Sequence, residues 1–290
     1  MHLTSLKPSV VPILCHDSEA VVRVPAGVAV ESPIELGLGF SDNQKPITLK
    51  IHLLKGSSAT VVVRLESKTS LDSLALNIMA VIEEGAQLRL IEFQNLPIET
   101  SYVANRNLDV AKKASLETVL IEVGAQTTGG SLIQTTQGAE ATLDSNLLYV
   151  ARGQQKHKLL LNNKFIHKEG KGEAKVRSIA LDEGTIDIQG AIQVGTKANG
   201  TESHLHLDSL LLSRTASITA IPALEINTND VKVGHGASVS NLNEENLFYL
   251  TSRGLDPDEA RKLMVRGFVS EVTDRLNDLP ELRDEILPLI

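Results

Sequence analysis

The chain has 290 residues, 42% hydrophobic and 22% charged, with a formal net charge of −8, enough for one large packed domain or two smaller ones. The acidic balance and lack of a basic block argue against a nucleic-acid partner. A single cysteine, Cys15, excludes an internal disulfide and a cluster held by this chain's cysteines alone. No run of about 18 apolar residues occurs, so no membrane span is expected. The N-terminal stretch lacks the charged start and apolar run of a secretion signal, and the reading is a cytoplasmic protein.

From about residue 18 to 240, apolar residues tend to alternate with polar ones, as half-buried strands require. Clear runs are Ile47 to Leu53, Leu88 to Phe93, Thr185 to Gly190 and Ser203 to Leu207. Thr60 to Leu65 alternates less cleanly, but its β-branched residues still favour a strand. Turn formers separate the runs: Lys55-Gly56, Glu84-Gly85, Gly129-Gly130, Glu183-Gly184 and Asn199-Gly200. Residues 104–114 are ambiguous between helix and strand. The irregular spacing shows no repeat, and the pattern fits a sandwich, a barrel or a β-helix. Aromatic residues are only 3% and Trp is absent, so Leu, Ile, Val and Ala must build the core.

After about residue 242 the pattern becomes helical. Asn243 is a suitable N-cap, Glu244 and Glu245 load the first turn, and Gly254 suits the stop. Asp256-Pro257-Asp258-Glu259 then starts a second helix of about 20 residues. Ala260, Leu263, Met264, Phe268, Val272 and Leu276 give it an apolar stripe. A short helix follows at 280–287. The division expected is a β core over 1–241 and a small helical domain over 242–290. The stripe either packs on the β core or receives a partner, and its pattern does not separate the two.

Candidate sites are few. His204, His206 and Asp208 are spaced i, i+2 and i+4, which puts them on one face of a strand in a metal-like constellation similar to a cupin His-x-His. Surface histidines are the plainer reading. Cys15 precedes His16 and Asp17, but nothing marks it as activated, and a buried or incidental thiol is expected. No phosphate-binding loop ending in Gly-Lys-Ser/Thr is present, so ATP hydrolysis would have to come from a partner.

One segment carries a longer signature. Pro222, Leu224, Glu225 and Ile226 are followed by Asn229-Asp230-Val231, His235-Gly236-Ala237, Leu247-Phe248-Tyr249-Leu250 and Ser252-Arg253-Gly254, with Asp208-Ser209-Leu210-Leu211 upstream. In order and spacing this resembles the SufB/SufD family of iron–sulfur cluster assembly. Ser238 stands where the family has Thr, and Asn229 where it has an acid.

The resemblance implies a right-handed parallel β-helix followed by C-terminal helices that dock a SufC-like ABC ATPase. It implies a non-catalytic scaffold that binds no ATP. Two SufB/SufD-type subunits would meet through their β-helices, with iron or an iron–sulfur cluster handled near that junction. His235 matches the junction histidine of SufD, and Glu225 and Asp230 are possible co-ligands beside it. Phe248, Tyr249, Arg253, Leu263, Met264 and Phe268 are the expected ATPase-docking residues. Residues 205–234 contain no cysteine, unlike SufB, so the chain is closer to SufD. It enters strand-like sequence almost at once, where family members usually carry a helical segment, and so also resembles the short subunits that pair with themselves. A homodimer and a heterodimer both remain open. The competing functions are a metal-dependent, cupin-like enzyme using His204, His206 and Asp208, and a β-helix binding module for saccharide or protein.

Overall fold

The computed structural model describes residues 3–5, 13–16, 18–38, 46–67 and 72–290, with side chains described over 18–37, 46–67 and 72–290. In chain order the strands are β1 (Leu3–Ser5), β2 (Ile13–His16), β3 (Glu19–Val24), β4 (Ile34–Leu38), β5 (Ile47–Leu53), β6 (Ser58–Glu66) and β7 (Ser73–Ile82). Then come β8 (Gln87–Asn95), β9 (Ser101–Val110), β10 (Ser115–Glu122), β11 (Thr127–Thr136), β12 (Thr142–Ala151) and β13 (Lys156–Phe165). The series ends with β14 (Lys171–Ala180), β15 (Thr185–Val194), β16 (Thr201–Leu211), β17 (Ser217–Ile226) and β18 (Val231–Asn241). Helices α1 (Glu244–Ser252), α2 (Pro257–Thr273) and α3 (Pro280–Ile286) follow.

The described residues form two nine-stranded sheets. The front sheet runs β1-β4-β6-β8-β10-β12-β14-β16-β18 and the back sheet β17-β15-β13-β11-β9-β7-β5-β3-β2. From β3 onward every strand pairs in parallel with the strand two later in the chain, so the backbone coils and each turn adds one strand to each sheet. Among the described residues only the pairings of β1 with β4 and β2 with β3 are antiparallel. The chain is a parallel β-solenoid.

The turns supply the register that the sequence hid. Gly27, Gly56, Gly85, Lys113, Glu140, Glu169 and Gly200 all adopt positive φ. Each donates its N–H to a carbonyl in the next coil, the chain of acceptors being Lys55, Glu84, Lys112, Ala139, Lys168, Asn199 and Asp230. The intervals vary, and non-glycine residues stand at three positions, so no composition period marks the repeat. Gly129-Gly130 is not a turn but lies inside β11. Gly130 is at φ +128 and its Cβ would lie 1.9 Å from the Ala104 carbonyl oxygen, so a close backbone approach explains the glycine. Residues 104–110 belong to β9.

Inward-facing residues stack in columns. On the front sheet one column runs Leu36, Val63, Glu92, Leu120, Leu147, Val176, Leu207. On the back sheet another runs Leu49, Ile78, Arg106, Leu132, Leu161. Aliphatic side chains from both sheets fill the interior as one core. Each buried Leu or Ile is worth about 1.5–3 kcal/mol relative to exposure.

A second core lies outside the solenoid. Outward-facing Val62, Phe93, Ile121, Val150 and Ile179 of the front sheet pack against Val265, Val269 and Val272 of α2, with Leu276, and Leu282 and Ile286 of α3. Thus the packed face of α2 is Ala260, Val265, Val269 and Val272. Of the stripe expected from sequence, Leu263 instead faces solvent, 50% exposed, and Phe268 sits at the margin of this core with Arg177 over its ring. Val265 and Val269 lie outside that stripe because valine is a modest helix former and the longer Leu, Met and Phe dominate the pattern. Ion pairs ring the second core: Arg64–Glu285, Arg89–Asp278, Arg275–Asp144, and Lys175 and Arg177 with Glu271. No helix is long and apolar enough to cross a membrane among the described residues.

Candidate functional site

The end of the solenoid and the first helix leave apolar surface uncovered. β17 and β18 are the last strands of their sheets, so each has one unpaired edge. Ile218, Ala220, Leu224, Val231 and Val233 only partly cover the interior here. Ile221, Ile226 and Val239 are 52%, 41% and 48% exposed.

His235 lies in β18, between Gly234 and Gly236 and in register with the buried Leu205. Strand alternation therefore puts it on the inner side of the terminal coil with Val231 and Val233, and it is exposed because no further strand covers it. Glu225 pairs in register with Gln193 on the outer side of the back sheet and accepts a 2.8 Å hydrogen bond from Gln193 Nε2. Asp230 lies between the two strands, its carbonyl accepting from the Gly200 N–H at 2.7 Å. The three residues thus share the terminal coil but do not converge, and among the described residues no three His, Cys, Asp or Glu side chains are gathered closely enough to hold an ion.

The helical tail divides into a docked and an undocked part. Asn243 caps α1 by accepting from the Asn246 N–H at 2.9 Å, and Asp256 caps α2 by accepting from the Asp258 N–H at 2.8 Å. Gly254, at φ +96, lets the chain turn between them. α1 contains no buried residue. Phe248 is 74% and Tyr249 58% exposed, and the Arg253 guanidinium lies 5.3 Å from the centre of the Tyr249 ring. Met264 is partly buried on α2. A groove beside α2 is lined by Leu212, Leu242 and Val265 and rimmed by Arg261, Lys262 and Arg266.

His204, His206 and Asp208 do share the outer face of β16. Asp208 is occupied, pairing with Arg177 and accepting from Ser238 Oγ at 2.6 Å. Cys15 lies in β2, and its side chain is outside the described residues, as are the structure of Asp17 and the side chain of His16.

Sequence patterning missed a polar cluster inside the solenoid. Arg106 Nε donates to Glu92 Oε2 at 2.8 Å, Arg106 Nη2 donates to Glu122 Oε1 at 3.1 Å, and Tyr102 donates to Glu92 Oε1 at 3.0 Å. All four are buried. Burial pushes the Glu122 carboxyl up to about 7, against the pull of Arg106. Nearby, burial and then Arg152 push the His157 imidazole down to about 4, and neither ring nitrogen has a hydrogen-bond partner. The signal available was the odd charged residue at an inward position of an alternating strand.

This architecture defines a solenoid protein with an open coil end and an undocked first helix. Residues 42–268 match the family described as SUF system FeS cluster assembly, SufBD core domain, and the chain belongs to that family. It is 30% identical over 238 residues to an iron–sulfur cluster assembly SufBD family protein of Pyrococcus horikoshii, covering 80% of this chain and 49% of that protein. It is 26% identical over 269 residues to the iron–sulfur cluster assembly protein SufB of Bacillus subtilis, covering 88% of this chain and 56% of that protein. A Mycobacterium leprae SufBD family protein is 27% identical over 278 residues, 91% of this chain and 31% of that protein. The chain spans about half the length of the first two relatives.

Proposed function

We propose that this chain is a non-catalytic scaffold subunit of a cytoplasmic SUF-type assembly complex. A SufC-like ABC ATPase binds at α1, and a second SufB/SufD-type chain, either another copy or a relative, meets the open end at β17 and β18. The observation that carries the reading is the contrast within the tail. α2 and α3 are held to the front sheet by an apolar core, while α1, directly before them, holds Phe248 and Tyr249 in solvent. Exposed aromatics beside an arginine are the residue types that anchor protein interfaces. Motion imposed on α1 would pass through α2 to the rigid solenoid.

In this reading Phe248, Tyr249, Arg253 and Leu263 contact the ATPase, with Met264 at the margin. Phe268, engaged under Arg177, steadies α2. The iron or cluster is cargo, met by His235 together with groups of the second chain; Glu225 and Asp230 supply nearby negative charge. The cupin-like alternative loses its carboxylate to Arg177, since Asp208 is already paired.

The test is co-elution with the ABC ATPase of the same organism. A stable complex that is lost in a Phe248→Ala/Tyr249→Ala double variant is the expected result. Failure of the folded wild type to bind any such ATPase would overturn the proposal.

A further inference from the structure

The outer face of the front sheet carries a cluster that the docking and junction surfaces do not use. His204 and His206 in β16 have nearly parallel rings, their centroids 6.4 Å apart with 18° between planes. Glu173 of β14 stands in register with His204. One carboxylate oxygen lies 3.9 Å from His204 Nδ1 and the other 3.6 Å from His206 Nε2. On the opposite flank, the β18 residues in register with the histidines are Gly234 and Gly236. A Cβ at Gly234 would come within 3.2 Å of His204 Cδ2, so glycine keeps the space beside that ring open.

These separations exclude direct hydrogen bonds, which from imidazole to carboxylate would be near 2.7–2.9 Å. Two ligand atoms each about 2.1 Å from one ion stand roughly 3.0 Å apart in octahedral and roughly 3.4 Å apart in tetrahedral geometry, so both contacts have to shorten for the three groups to share an ion. Among the described residues no lysine or arginine pairs with Glu173, whereas Lys175, Arg177 and Lys232 are engaged with Glu271, Asp208 and Glu202. The set is not closed as it stands. Its side chains are 37% to 53% exposed, and closing it takes side-chain rotation that brings the two rings nearer than their present 6.4 Å.

We propose that His204, His206 and Glu173 form a divalent-metal site. Two imidazoles and one carboxylate with open positions are the donor set of ferrous iron; naming iron rests on the assembly role proposed above, whereas metal binding does not. The site lies one strand in from the end strand that bears His235, with Glu173 replacing Asp208 as the carboxylate.

The experiment is an anaerobic titration of the untagged chain with ferrous iron against a chromophoric chelator, with cobalt(II) absorption as a second readout. One equivalent is expected, weakened at least tenfold in His206→Ala, His204→Ala and Glu173→Gln, and retained in Asp208→Asn. Circular dichroism checks that each variant is folded, and His206→Gln replaces His206→Ala if the latter is not. Absence of binding, binding that survives the His204→Ala/His206→Ala pair, or binding lost only in His235→Ala would overturn the site. ATPase co-elution reports separately on the assembly role. If metal binds as expected but no ATPase does, the site stands and only its assignment to iron falls.

Discussion

The two cores of this chain are built from the same β-strands yet differ in what they tolerate. The interior core admits Glu92 and Arg106 into otherwise aliphatic columns and Glu122 into one that also holds Gln94 and Tyr149, because each charge finds a partner across the gap between sheets. The outer core, between front sheet and helices, is apolar at its centre and keeps its ion pairs at the rim. Charge inside the solenoid is therefore a commitment of the whole coil, whereas charge around the tail only guides docking. The two should respond differently to substitution.

The largest effect is expected for Arg106→Leu, which strands two buried carboxylates. Loss of about 3–5 kcal/mol in urea unfolding is expected, with much of it recovered when Glu92 and Glu122 are also replaced by apolar residues. Leu276→Ala attacks the outer core and should cost about 2–5 kcal/mol locally. Here proteolysis or hydrogen exchange should show the tail released while the β circular dichroism signal persists; loss of both together would erase the distinction between the cores.

The pH response sharpens the interior side. Glu122 titrates near 7 when folded against 4.5 for a free glutamate, so it binds its proton more tightly in the native state. Its contribution is full below pH 4.5 and is lost as pH rises to 7. His157 titrates near 4 when folded against 6.5 when free, so its contribution is full above pH 6.5 and is lost as pH falls to 4. Each is worth about 3 kcal/mol over its window. The two slopes oppose between roughly pH 4.5 and 6.5, and the wild type should be nearly flat there with respect to this pair. Glu122→Gln should unmask a loss of stability on acidification, and His157→Asn a loss on going toward neutral pH; identical profiles in all three proteins would refute the coupling.

At the rim, Glu271→Gln removes the partner of Lys175 and Arg177 and should cost about 1 kcal/mol or less, shrinking further in high salt. The smallest effect on folding, within about 0.5 kcal/mol, is expected for Phe248→Ala, since that ring is 74% exposed. A large loss of stability there would show that α1 packs in a way its exposure does not reveal.

Much of this was legible in the residues. Alternation marked Ile47–Leu53 and Thr185–Gly190, which lie in β5 and β15, and Asn243, Asp256 and Gly254 marked the helix ends because capping is local chemistry. The family signature around His235 was legible too, because its residue types recur in order and spacing along one continuous stretch. The span containing Arg106 read as ambiguous because a charged side chain held an inward position. Gly129-Gly130 read as a turn because a glycine required by a neighbouring backbone looks the same as one required by a bend. Glu173 was missed beside His204 and His206 because it comes from the preceding front-sheet strand.

By itself the sequence determined the period-two strands, the capped helices and the residues able to pair or ligate, since these depend on neighbours a few positions away. The tertiary structure alone decided which coil stacks on which, and hence that Glu92 meets Arg106, that Glu173 meets two histidines, and that α2 docks while α1 stays free. Alternation assigns a side chain to a face, but only the stacking of coils gives that face its neighbours.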